Sequence, residues 1–283
     1  MSAAMSGLKR HQLIDPVENL EDRMCTKHDK PLELFCQTDQ TCVCMLCSVL
    51  DLSLIHISEV RVRPPSYERT VVRAVAQLEE TLSEEMKKLF EAELKRVQQY
   101  AEDVTLDPDT AHPKLILSDD GKQVHHSDVR KNLPDNPERF SQCVIVLGKQ
   151  SFSSGRFYFE VQVKGKTDWD LGVARESINR KGGITLSPQD GYWTICLRNG
   201  NEYKALAGPS VRLSLKSQPE KVGVFVDYEE GLVSFYDVAA AALIYSFTGC
   251  SFTEKLYPYL GPCPNYGGKN SAPLIICPVN QTA

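Results

Sequence analysis

Period-two alternation is the strongest constraint on how this chain can fold. In Phe157-Tyr158-Phe159-Glu160-Val161-Gln162-Val163, the residues Phe157, Phe159, Val161 and Val163 share one face, and Tyr158, Glu160 and Gln162 share the other. Successive side chains of a strand point to opposite faces, so this run is a strand with an apolar side. Val222–Asp227 and Leu232–Tyr236 follow, joined by Tyr228-Glu229-Glu230-Gly231, which predicts a hairpin with glycine at a positive-φ position. Asn199-Gly200, between 193–198 and 202–206, predicts a second hairpin, and Asp120-Gly121 marks a further turn. Short strands with turns at close intervals across 103–281 predict a mainly β fold, a two-sheet sandwich. A stretch of this length buries a sizeable core without staples.

Residues 68–101 read differently. They contain no Gly or Pro and are rich in Glu, Lys, Leu and Ala, which predicts one long helix. Val71, Val75, Leu78, Leu82, Met86, Leu89, Phe90, Leu94, Val97 and Ala101 recur at steps of three and four and form a single stripe. Such a stripe suits a helix lying on the β domain, and it equally suits the remnant of a coiled-coil dimer.

The ten cysteines are unevenly placed, with Cys25, Cys36, Cys42, Cys44 and Cys47 in one short stretch. Nothing resembling a secretory signal precedes them, so the expected setting is a reducing, cytoplasmic one, where clustered cysteines point to metal before disulfide. Cys25-Thr26-Lys27-His28, Cys36-Gln37-Thr38-Asp39 and Cys44-Met45-Leu46-Cys47 are three ligand pairs at the same x₂ spacing. The first and third form a Cys₃His set suited to tetrahedral zinc; interleaving assigns the middle pair, Cys36 and Asp39, to a second ion. The role is structural, with the metal supplying folding energy.

A net charge of −5, from 32 basic and 37 acidic residues, argues against a nucleic-acid surface as the main feature. No apolar run reaches the length of a membrane span, so no membrane partner is expected. Residues 103–281 contain no nucleophile elbow, no P-loop and no paired catalytic acids, which predicts a non-enzyme. His125 and His126 read as a solvated strand edge, and His112, before Pro113, as structural.

Residues 25–51 resemble the B-box zinc finger of the tripartite-motif (TRIM) proteins. The family's ligand order maps onto Cys25, His28, Cys36, Asp39, Cys44 and Cys47, while its two closing histidines would fall near Leu52 and Ile55. Only His56 is present there, out of step, and residues 52–65 read as an insert that interrupts the finger. Residues 103–281 resemble the family's PRY-SPRY domain. That likeness rests on Leu106-Asp107-Pro108, Ser154-Gly155-Arg156-Phe157-Tyr158-Phe159-Glu160-Val161, Trp169-Asp170-Leu171-Gly172, Gly191-Tyr192-Trp193, Val226-Asp227-Tyr228-Glu229 and Gly267-Gly268-Lys269-Asn270. The organisation implied is a flexible segment 1–24, a B-box-type finger 25–56 with an atypical end, an irregular junction 57–67, a coiled-coil remnant 68–101 and a PRY-SPRY sandwich 103–281, with no RING finger.

The resemblance implies a target protein held by loops at one end of the sandwich, in ubiquitin-linked or innate immune signalling, with self-association through the helix and B-box. A ubiquitin-ligase component working with a RING-bearing partner or longer isoform is the alternative. The implied binding residues are Asp168, Trp169, Asp170, Cys196, Arg198, Asn199, Pro264, Asn265 and Tyr266. Relatives carry aromatics where this chain has Cys196, Arg198 and Pro264, so its surface is expected to be less apolar and more basic, with Tyr203 and Tyr266 as the nearby aromatics.

Overall fold

A computed structural model of the chain describes residues 24–32, 34–36, 41–50, 60–62 and 67–279. The chain divides into two compact units, residues 1–82 and 83–283. In the first, β1 (Leu34–Cys36) pairs with β2 (Thr41–Val43) and with β3 (Val60–Val62), both antiparallel, and α1 (Met45–Leu50) follows β2. Residues 57–67 are thus not wholly irregular, because Val60–Val62 completes a small sheet. Cys25, Val43, Cys44 and Cys47 form its buried cluster, with Leu32 packed against them.

The long helix, α2 (Tyr67–Gln98), ends three residues before the predicted limit. Its apolar stripe divides in two. Leu94 and Val97 are buried with Tyr158, Phe225 and Tyr236 of the sandwich. Val75, Leu78, Leu82, Met86, Leu89 and Phe90 are exposed. The last turn therefore lies on the β domain, and the upstream stripe is uncovered.

The sandwich runs through β4 (Leu115–Leu117), β5 (Gln123–His126), β6 (Val146–Leu147), β7 (Arg156–Gln162), β8 (Trp169–Arg175), β9 (Tyr192–Arg198) and β10 (Glu202–Ala205). It continues with β11 (Val211–Leu213), β12 (Lys221–Asp227), β13 (Leu232–Asp237), β14 (Ala242–Phe247), β15 (Leu256–Gly261) and β16 (Leu274–Cys277). One sheet has the order β11-β10-β9-β8-β15-β6, the other β14-β13-β12-β7-β16-β5-β4. All strand pairs in both are antiparallel. Phe157, Phe159 and Val161 of β7 meet Leu171, Val173 and Ile195 of the facing sheet in one core.

The outward face of β7 departs from simple alternation. Tyr158 and Glu160 are buried, because the end of α2 covers them. A buried carboxylate needs partners, and Glu160 has three: Tyr158 Oη donates at 3.0 Å, Gln98 Nε2 at 2.9 Å and Lys221 Nζ at 3.0 Å. Gly223, on the neighbouring strand, leaves room for this arrangement, since a Cβ there would run into Tyr158 Oη.

Candidate functional site

Two sites emerge, a thiol–imidazole cluster and a rim of loops. In the cluster, Cys25 and His28 come from the turn before β1, and Cys44 and Cys47 from the start of α1. His28 Nδ1 lies 3.7 Å from Cys25 Sγ, 3.5 Å from Cys44 Sγ and 3.3 Å from Cys47 Sγ, and the Cys25 and Cys47 sulfurs are 3.5 Å apart. A tetrahedron around zinc would have edges of about 3.8 Å between sulfurs and about 3.5 Å between sulfur and nitrogen, from Zn–S and Zn–N bond lengths. The observed spacings match those edges, so the four ligands fit one zinc ion. The Cys47 N–H donates to Cys44 Sγ at 3.4 Å, as suits a metal-bound thiolate.

Charge makes the same case. Burial opposes ionisation of Cys25, yet hydrogen bonds from its neighbours, chiefly the Lys27 and His28 backbone and the Cys47 thiol, bring it down to about 6. Burial and the adjacent Cys25 and Cys44 push Cys47 up to about 12. Cys25 ionises at the expense of Cys47, and a dication is the counter-charge that would let both thiolates stand side by side. Of the expected second ligand set, Cys36 is placed as part of β1 and Asp39 lies outside the described residues, as do 52–59, with His56, and 63–65. Cys42 is a half-buried thiol.

The rim forms where β8 begins and where β9 and β15 end. Antiparallel register sets Asp170 opposite Cys196 on one side and Gly261 on the other. Asn199 and Gly200, with φ of 54° and 75°, turn the chain between β9 and β10 as the sequence predicted.

Alternation separates the predicted contact residues. Trp169 points into the core, 1% exposed, with its ring centroid 6.2 Å from that of Tyr203. It is a core anchor, and its indole is no part of an accessible surface. Tyr203 is likewise buried. Cys196 lies on the opposite face of the sheet but is also buried, and burial pushes its thiol up to about 11.

Asp170 is buried beneath Arg198, whose Nη2 donates to Oδ1 at 2.7 Å. Arg198 Nη1 also donates to the carbonyls of Trp169 and Leu197, at 3.0 and 2.8 Å. Cys263 Sγ contacts Asp170 Oδ2 at 3.4 Å. Burial raises the Asp170 pKa, against the opposing pull of Arg198. Asp168 accepts from Thr167 Oγ1 at 2.8 Å and from the Asn199 N–H at 3.3 Å. Both carboxylates are thus engaged within the chain: Asp170 supports the Arg198 guanidinium, and Asp168 the backbone of the Asn199 turn.

Asn270, 1% exposed, stitches the rim together. Its Oδ1 accepts from the N–H groups of Thr167 and Asp168, at 3.0 and 3.2 Å. Its Nδ2 donates to the carbonyls of Asp168, Pro262 and Pro264, at 3.0 to 3.1 Å. Buried Lys166 caps the same loop, donating to Ala272 O at 3.0 Å; burial brings its pKa down to about 8, against Cys263 and Asp168. Sequence reasoning did not assign either residue a role, although the Gly267-Gly268-Lys269-Asn270 motif was the signal for Asn270.

Cys263 and Tyr266 hold positive φ, 58° and 51°, so the loop between them is bent by non-glycine residues, a cost that packed loops sustain where shape matters. The outward result is a surface of half-buried Arg198, Pro264 and Asn265, exposed Asn199, and Tyr266 at 55% exposure. His126 is not on a solvated edge. Its side chain is 6% exposed, and its Nδ1 accepts the Asn265 N–H at 3.2 Å.

Family models match the segments that carry the cluster and the sandwich. The SPRY domain family model matches residues 156–274, the SPRY-associated domain 104–152 and the B-box zinc finger 20–53. Human zinc finger protein RFP is 41% identical over 236 residues, 80% of this chain and 45% of that protein. Human E3 ubiquitin-protein ligase TRIM68 is 49% identical over 179 residues, 63% of this chain and 37% of that protein. The crystal structure of the TRIM65 PSpry domain superposes with a TM-score of 0.56 at 24% identity, covering 65% of this chain and 93% of that one. The chain spans less than half the length of the curated relatives it matches.

Proposed function

We propose, for a chain that belongs to the tripartite-motif family by its B-box, PRY and SPRY segments, that the loop rim binds a target protein, without chemistry of its own, in ubiquitin-linked or innate immune signalling. One observation carries the reading. Arg198, Asn199, Pro264, Asn265 and Tyr266 face outward from loops fixed beneath by Asn270, Asp168 and Asp170. Rigid loops presenting a tyrosine and an arginine lose little entropy on docking, and these residue types supply most interface energy. Capture of partners by the full chain, read by mass spectrometry, should yield proteins lost with Arg198→Glu and with Tyr266→Ala. Partners that survive both substitutions would refute the assignment of this face.

The B-box and helix are read as the self-associating part. The uncovered stripe from Val75 to Phe90 carries it. Leu82→Glu together with Met86→Glu should convert a concentration-dependent oligomer into a monomer in sedimentation velocity. A wild-type chain that sediments as a monomer at all concentrations would end this reading. Among the described residues no helix is long and apolar enough to cross a membrane.

A relative named as a ubiquitin-protein ligase favours a second reading, in which this chain is the recognition component of such a ligase. Ubiquitin transfer to a captured partner, in a mixture with a RING-bearing relative, should depend on Arg198 if so. Transfer by the purified chain alone would overturn the non-catalytic reading.

A further inference from the structure

Next to the rim lies a hollow of about 530 Å³ between the β4–β5 hairpin and the turn at 264–267. Lys114, Arg130, His112 and His126 line it, and Asp128 is its one acidic residue. Asp128 is engaged, accepting from Asn265 Nδ2 at 3.3 Å, with His126 Nδ1 3.9 Å away. Lys114 and Arg130 form no ion pair with a carboxylate among the described residues. The nearest side-chain partner of Arg130 is His112 Nε2, at 3.5 Å. That contact satisfies little. The Lys114 N–H donates to His112 Nδ1 at 3.2 Å, so in the neutral ring Nε2 carries the proton and has no lone pair for the guanidinium.

Neutral rings are what the surroundings produce. Burial, and then Arg130, bring His112 down to about 4; burial, and then Lys114, lower His126, with Lys166 and His125 adding to the effect and Asp128 opposing it. The hollow is therefore a positive field without an internal counter-charge beyond Asp128. A segment of a protein bound at the adjoining rim would reach this hollow, and its carboxylate would meet the cations in charge-assisted hydrogen bonds.

We propose that this hollow receives an acidic segment of the target protein, with an Asp or Glu carboxylate held by Lys114 and Arg130. The inference rests on the rim-binding reading, because Pro264, Asn265 and Tyr266 belong to both surfaces. It adds the chemistry of what is bound.

The test uses the full zinc-loaded chain and a fluorescein-labelled decaglutamate peptide, with fluorescence anisotropy at low salt. Binding should weaken about tenfold or more in Lys114→Gln with Arg130→Gln, a change that removes charge without placing acid in the hollow. Lys216→Gln, an exposed lysine elsewhere, should leave it unchanged. No binding of the peptide, or equal loss with Lys216→Gln, would overturn the inference. So would a deoxythymidine decamer that binds more tightly and is lost with the same pair, which would assign the hollow to nucleic-acid phosphate. Captured partners lost with Arg198→Glu but kept by the Lys114/Arg130 variant would sink this inference and leave the rim reading standing.

Discussion

Removing Arg198 tests how the rim is held. Asp170 is buried, and Arg198 is the cation beside it, at 2.7 Å. Deleting one partner of a fully buried pair costs ~3–5 kcal/mol, because a buried charge is left behind. The Arg198 side chain is 35% exposed, so water already screens part of the pair and ~2 kcal/mol is the fitting expectation for Arg198→Ala. The pH dependence gives the sharper check. Burial holds the Asp170 pKa above its unfolded value, so the contribution of this group is most favourable below the unfolded pKa and falls as pH rises through the folded one. Without Arg198 the folded pKa rises further, and the penalty at pH 7.5 should exceed that at pH 4.5. Both tryptophans, Trp169 and Trp193, are buried in the sandwich, so urea titration followed by their fluorescence reports on this domain. Asp170→Asn combined with Arg198→Ala should cost less than the sum of the single changes, with a coupling of ~1 kcal/mol or more. A loss below ~0.5 kcal/mol that is the same at both pH values would show that water, not Arg198, compensates Asp170.

Other expectations follow from the same structure. Elemental analysis should find zinc in the chain, and Cys44→Ser should remove the ion of the Cys₃His set; zinc content unaffected by that change would refute the four-ligand assignment. A chelator should abolish the amide dispersion of residues 24–50 in NMR spectra and leave the tryptophan fluorescence of the sandwich as it was; a change in both would deny that the metal acts locally. Gly223→Ala should destabilise the sandwich by ~1–3 kcal/mol through collision with Tyr158, and Tyr158→Phe should relieve little of this, because the ring itself is also in the way.

The sandwich was readable because period-two alternation and Asn-Gly or Gly-ended turns are local signals that tertiary packing reinforced, as at Phe157–Val163 and Asn199-Gly200. The Cys₃His cluster was readable because metal spacing is set by short turns. What alternation could not reveal is which faces are covered twice. Tyr158 and Glu160 read as the face opposite the apolar side, yet the end of α2 buries them, a contact made across 62 residues of sequence. Trp169 illustrates the converse. The family resemblance implied a place on the binding face, but strand geometry sends it inward while Asp170 faces the other way. Lys166 and His126 had no local signal, because their burial arises from loops that arrive from distant parts of the chain.

The rim divides its residues between two tasks. Asn270, Asp168 and Asp170 spend their polar groups on backbone and on Arg198, beneath the surface, where replacement leaves buried groups unpaired. Pro264 and Tyr266 make few such commitments and face outward. Substitution at the outer positions can therefore alter the shape and charge offered to a partner at little cost to the fold. Aromatics expected at Cys196, Arg198 and Pro264 are absent here, yet the stitching by Asn270 is complete. The αL residues Cys263 and Tyr266 are held in register over a satisfied polar base, so the rim keeps its shape whichever side chains it presents outward.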